Sequence, residues 1–192
     1  SKNAHSICGD ELQKILRIIQ ENKFIKTENA GKISTKEIKK DYLQDLSSKL
    51  KMGRKLKVVV DTGNGTAGAF VPEFLKMLGY EVVELYCDLD GTFPNHEANP
   101  EELKNMEKLI EKVKESKADI GLGFDGDGDR IGVVDEKGKM YSSDFMLLLL
   151  TRDLVTRVKN PKVVFDIKVS QVIINKIKES GAEPVMSKTG HS

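Results

Sequence analysis

The sequence predicts an α/β protein made of α/β/α layered units on a mixed, largely parallel sheet, one unit complete and one truncated. Three observations carry that expectation. Residues 56–60 (LKVVV) are mostly apolar and β-branched, which suits a parallel strand buried on both faces. Runs of this kind alternate with stretches of helical periodicity twice along the chain. Between two further apolar runs lies an acidic, glycine-spaced segment, residues 125–130 (DGDGDR). That places it at the carboxyl end of a strand, where open α/β sheets hold their ligands.

Taken in order, residues 10–22 set Leu12, Ile15, Leu16 and Ile19 at helical spacing, with Ile18 beside them. The polar stretch 26–32, with Gly31 inside it, reads as a linker. Ser34 and Glu37 form a capping box before a helix expected to turn Ile38, Tyr42, Leu43, Leu46 and Leu50 to one side, ending at Met52 and Gly53. After the strand at 56–60 come residues 63–68 (GNGTAG) and an amphipathic helix through Phe70, Phe74, Leu75 and Leu78, stopped by Gly79. Residues 81–86 are the next strand. A polar loop, 88–99, leads to a helix with Asn99 as N-cap, Pro100 at N1 and Glu102 at N3, whose apolar face is Leu103, Met106, Ile110 and Val113. Strands at 118–124 and 131–134 flank the acidic loop, and Gly138 marks a turn at 135–139. Ser142 or Ser143 then caps a helix with its core at 145–150, followed by a strand at 163–167, a helix at 171–178 and a short strand at 184–186.

Composition narrows the classes. An apolar share of 39% over 192 residues allows a core, and a formal charge of +1 argues against a nucleic-acid surface. No apolar run is long enough to span a membrane and no signal-peptide pattern is visible. Cys8 and Cys87 form no spaced pair, so the simplest expectation is two reduced thiols in a cytoplasmic protein.

The chemistry is concentrated at Asp125, Asp127 and Asp129. Holding carboxylates about 4 Å apart costs on the order of 4 kcal/mol per pair at an effective dielectric of 20. A bound cation removes that cost, and oxygen-only ligands favour a hard ion such as Mg²⁺ over zinc. Gly126 and Gly128 let alternate side chains converge on one point. Other motifs compete. Residues 63–68 fit the G-x-G-x-x-G pattern of a Rossmann-type nucleotide site, with Glu84 about where a ribose ligand belongs, but Asp61 and Thr62 stand before the first glycine. Residues 88–92 (DLDGT) resemble a haloacid dehalogenase nucleophile motif, but too little chain separates them from Asp125. Asp125, Asp127, Asp129 and Glu136 match EF-hand positions, yet Arg130 occupies the place where that loop needs glycine. A self-contained metal-binding α/β module is the remaining alternative.

Residues 58–68 (VVVDTGNGTAG), 90–100 (DGTFPNHEANP), 123–138 (GFDGDGDRIGVVDEKG), 165–168 (FDIK) and 188–192 (KTGHS), taken in this order, resemble the α-D-phosphohexomutases, in particular the bacterial phosphomannomutase/phosphoglucomutase group. The resemblance implies an enzyme that moves a phosphoryl group between the 1- and 6-positions of glucose or mannose through a phosphoserine and a 1,6-bisphosphate. It implies that Asp125, Asp127 and Asp129 hold Mg²⁺, and that Arg130, Lys168 and His191 meet the hexose phosphate. Arg130 has a second reading, an ion pair with the loop's own aspartates. Asn64 and His96 are expected to serve turn and loop hydrogen bonding. It further implies a linker helix from a first domain within 1–33, a second domain at 34–139 and the opening of a third at 140–192, with the rest of the parent chain as partner; the opening Ser1, where Met is usual, separately suggests a tag remnant at the start of 1–33. No segment resembling the phosphoserine loop is present, so no mutase activity and only weak Mg²⁺ affinity are expected of these residues alone.

Overall fold

A computed structural model of the chain describes residues 7, 9–27, 31–50 and 52–189. The described residues fall into two compact units, the larger of which is Ile38–Lys188. The smaller contains α1 (Asp10–Gln20), with Asp10 and Glu11 in its first turn and Arg17 in its last, as the helix dipole favours. The periodic residues Leu12, Ile15, Leu16 and Ile19 are all exposed on it.

The larger unit opens with α2 (Lys39–Ser48) and builds a five-stranded sheet from β1 (Lys57–Asp61), β2 (Glu81–Leu85), β3 (Ile120–Phe124), β4 (Ile131–Asp135) and β5 (Met140–Tyr141), in the order β2-β1-β3-β4-β5. β1 runs parallel to both β2 and β3, whereas β3–β4 and β4–β5 are antiparallel. A 3₁₀ turn (Thr66–Ala69) and α3 (Val71–Met77) connect β1 to β2, and α4 (Leu103–Ser116) connects β2 to β3. The chain continues through α5 (Ser143–Arg157), β6 (Lys162–Phe165), α6 (Gln171–Glu179) and β7 (Glu183–Met186), with β6 and β7 paired in parallel. This is the mixed α/β architecture expected from the sequence.

The main core lies under α4, where Met106, Leu109 and Val113 pack on Val59, Ala118 and Val134. Glycines on the strands let the helix come close. A Cβ at Gly121 would sit 2.6 Å from Val113 Cγ2, and one at Gly123 would sit 2.7 Å from Met106 Sδ. A second, smaller core joins Val163, Ile177 and Ala182 to Leu147, Leu148, Val155 and Ile173.

Three local expectations shift. The Ser34–Glu37 capping box does not form: α2 starts at Lys39 behind Ile38 with no side-chain cap. Of its expected face only Leu43 is fully buried, while Ile38, Tyr42 and Leu50 are exposed; the first turn is held instead through Lys39, which pairs with Glu73 and lies over the Phe70 ring. Asn99 does not cap α4. Its side chain accepts from Glu101 N (3.2 Å) and its carbonyl from Asn105 Nδ2 (3.1 Å), which fixes a separate turn ahead of a helix that begins at Leu103. Finally, the first sheet continues to Tyr141, because β5 pairs with β4 beyond the turn at 135–139. Ser142 is the cap of α5, accepting from Phe145 N at 3.4 Å.

Candidate metal centre and adjoining cleft

Strand order places two loops side by side. β1 is flanked by β2 on one side and β3 on the other, so the order reverses between the parallel neighbours β1 and β3. Ligands of open α/β sheets gather outside the carboxyl ends at such a reversal. The loop after β1 is residues 63–68; the loop after β3 is the acidic one.

In the acidic loop, one carboxylate oxygen from each of Asp125, Asp127 and Asp129 lies within 4.8 Å of the others. Asp125 is buried, whereas Asp127 and Asp129 are exposed. Arg130 closes the loop on Asp125: its backbone N–H donates to Oδ1 (3.0 Å) and its Nε–H to Oδ2 (2.7 Å). Burial pushes the Asp125 carboxyl up, but the Arg130 backbone N–H, its guanidinium and a contact from Asp129 outweigh burial and hold the group below the usual carboxylate range. Asp129 moves the other way, raised by sharing a hydrogen bond with Asp125 and by the charge of Asp127. Crowded like charges are therefore legible in the site itself. The donor set is three carboxylates with no sulfur or imidazole, which fits a hard divalent cation.

Beside this loop an open cleft of about 1020 Å³ is lined by Asp129, Arg130, Glu101, Tyr141, Ser142 and Lys168, among others. It brings together Asp129, Arg130 and Lys168 of the residues singled out from sequence. Arg130 also approaches Asn99 Oδ1 (3.4 Å) and Glu101 (3.8 Å), the latter a neighbour that sequence reasoning missed. His191 lies outside the described residues.

The rival motifs find no support. A phosphate-binding glycine turn needs open space beside its backbone, but here protein fills it: a Cβ at Gly65 would meet Gly126 O at 2.8 Å, and one at Gly68 would meet Cys87 O at 2.1 Å. A four-residue 3₁₀ turn follows, not a helix aimed at a pyrophosphate. Asp90 is occupied in its own turn, accepting from Thr92 N (2.9 Å) and Thr92 Oγ1 (2.7 Å). The flanks of the acidic loop are strands, unlike an EF-hand.

Sequence reasoning also missed Asp61, seen only as a polar step before the glycines. It is buried, accepts from Gly63 N (2.9 Å), and faces His96 Nε2 at 3.2 and 3.1 Å from its two oxygens. An aspartate ending an apolar strand was the available signal; its distant partner was not.

Residues 40–138 match the family described as phosphoglucomutase/phosphomannomutase, alpha/beta/alpha domain II. The phosphoglucomutase of Neisseria meningitidis serogroup A is 41% identical over 97% of this chain and 41% of its own length. The phosphomannomutase/phosphoglucomutase of Pseudomonas putida is 40% identical over 97% of this chain and 40% of its own. A crystal structure of a phosphoglucomutase/phosphomannomutase family protein from Burkholderia thailandensis superimposes with a TM-score of 0.90 at 37% identity, covering 96% of this chain and 40% of that one. The chain thus spans about two fifths of the length of the relatives it matches.

Proposed function

The chain belongs to the phosphoglucomutase/phosphomannomutase family, and on that premise we propose that it carries the cation-binding part of an enzyme interconverting hexose 1-phosphates and hexose 6-phosphates. The observation that carries this reading is the convergence of the Asp125, Asp127 and Asp129 oxygens at the end of β3, opening beside a cleft that holds two cationic side chains.

Asp125, Asp127 and Asp129 would hold Mg²⁺, which supplies compensating charge for the oxygens of a transferring phosphoryl group. Arg130 has a divided task. Its backbone N–H and Nε keep the buried Asp125 charged and in place, its Nη1 leans toward Asn99 and Glu101, and its Nη2 is the donor offered to phosphate. Both readings of Arg130 left open by the sequence are therefore compatible in one residue. Lys168, also lining the cleft, adds a point charge that attracts a phosphate dianion. His191 is assigned to the sugar on the family resemblance alone. Residues 34–139 and 140–192 are read as the second and the opening of the third domain of the parent enzyme, which works in the cytoplasm. Transfer itself requires the phosphoserine segment of that parent, so turnover is expected only from the longer enzyme.

The test is a titration of the chain with Mn²⁺, followed by electron paramagnetic resonance, alongside Asp127→Asn. Asp127 is exposed, so the variant keeps its fold. Binding by the wild-type chain that weakens about tenfold or more in the variant supports the reading. Equal binding by both sinks it.

A further inference from the structure

We propose that His96 is a positioning residue for the acidic loop, acting through the buried Asp61 carboxylate and the turn at 63–66. The inference rests on the cation-binding reading above and goes beyond it, because none of these residues is a ligand.

The path is continuous. His96 Nε2 sits 3.2 and 3.1 Å from the two Asp61 oxygens, and Asp61 Oδ1 accepts from Gly63 N at 2.9 Å. Asn64 (φ 65°) takes the next corner: its N–H donates to Tyr86 O (2.7 Å), its Nδ2 to Asp88 O (2.8 Å), and its Oδ1 accepts from Asn95 Nδ2 (2.7 Å). Gly65 N–H donates to Thr62 O at 2.7 Å. Thr66 then reaches the acidic loop, its backbone N–H donating to Gly126 O at 3.0 Å and its hydroxyl to the same oxygen at 3.3 Å. Gly126 separates Asp125, which Arg130 already grips, from Asp127, so holding its carbonyl orients the peptide from which Asp127 leaves the backbone.

The two turns leave little room between them at the far end. A Cβ added at Gly65 would sit 2.8 Å from Gly126 O, one at Gly128 would sit 3.3 Å from Ala67 Cβ, and one at Gly126 would sit 3.4 Å from the Phe93 ring of the His96-bearing loop. The loop at 88–99 thus supports the acidic loop through Asp61 and the turn, with the Phe93 ring near Gly126. Groups that support a ligand from behind in this way commonly alter cation affinity by about 10–100-fold when removed.

The experiment measures Mn²⁺ affinity by electron paramagnetic resonance and thermal midpoint for the wild type, Asp127→Asn, His96→Ala, His96→Gln and Gly65→Ala. His96→Ala should weaken Mn²⁺ binding about tenfold or more. His96→Gln, whose amide still donates to Asp61, should restore binding close to wild type. Gly65→Ala leaves His96 and Asp61 untouched but pushes on Gly126, and should weaken binding in the same way. A role in folding alone would lower the thermal midpoint of His96→Ala while the folded protein kept its affinity; that result overturns the proposal. If His96→Ala does not fold, unchanged affinity in Gly65→Ala overturns it equally. Loss in Asp127→Asn with full retention in both His96→Ala and Gly65→Ala refutes positioning but leaves the cation site standing. No Mn²⁺ binding by the wild type refutes both.

Discussion

Two glycine-spaced loops lie side by side at the same end of the sheet and use their glycines for opposite ends. In residues 63–68, added Cβ atoms at Gly65 and Gly68 would strike backbone, so the missing side chains make room for the protein itself. In the acidic loop, a Cβ at Gly126 would come nearest the Phe93 ring at 3.4 Å, and one at Gly128 nearest Ala67 Cβ at 3.3 Å. There the glycines leave carboxylates free to converge. The first loop is largely buried and saturated with hydrogen bonds; the second exposes two like charges. A glycine pattern therefore reports close approach or sharp turning, and only the chemistry between the glycines says whether a ligand is involved.

The packed turn at 63–68 should be the more sensitive of the two loops to an added methyl. Gly68→Ala sets a methyl 2.1 Å from Cys87 O and 3.0 Å from Thr62 Oγ1, which only a backbone shift relieves. It should cost about 3 kcal/mol in urea unfolding. Gly126→Ala meets an ordinary van der Waals contact and should stay within about 1 kcal/mol of wild type. Equal costs for the two would erase the distinction drawn between the loops.

Within the acidic loop the three aspartates are unequal. Asp125→Asn removes the charge that Arg130 grips and should destabilise the chain by about 2 kcal/mol while also weakening cation binding. Asp127 is exposed and, among the described residues, carries no hydrogen bond like those on Asp125, so its loss separates binding from stability. Because Asp125 is held below its ordinary range in the folded state, its contribution is present above the unfolded value of about 3.9 and is lost as pH falls through the lower folded value. An Asp125→Asn variant no less stable than wild type at neutral pH would remove Asp125 from that structural role.

How much of this was legible in the sequence follows from the range of the signals. Strands and helices were readable because burial writes a local period: 163–167 and 171–178 came within a residue or two of β6 and α6. The acidic triad was readable because its members are two residues apart. What was hidden depended on strand order. Nothing in residues 61 and 96 announces that a parallel β1–β3 pairing will bring the loop at 63–68 against Gly126, or that His96 will return to Asp61. The glycines of 118–124 and 131–134 were likewise mute until α4 was seen to lie on them. The failed cap at Ser34 is a different case: the local pattern was present, but the helix starts at Lys39, where the pair with Glu73 and the buried Leu43 hold it.

The two loops should also respond to pH in opposite directions, by a small amount. His96 is raised above its ordinary 6.5 by its hydrogen bond to Asp61, against the opposing pull of burial and with help from the Glu97 carbonyl. A raised folded-state value means that protonation favours the folded chain. The pair's contribution is therefore complete below about 6.5 and fades as pH rises through the higher folded value. The buttressing turn loses part of its hold on the alkaline side, whereas the acidic loop loses Asp125 on the acid side. Urea midpoints of wild type and His96→Gln across this range should differ most in mild acid and converge in alkali. His96 should also titrate above a histidine in the unfolded chain by proton NMR. A gap that widens with rising pH would mean that the imidazole serves Asp61 as a neutral donor, and the opposite pH responses of the two loops would reduce to one.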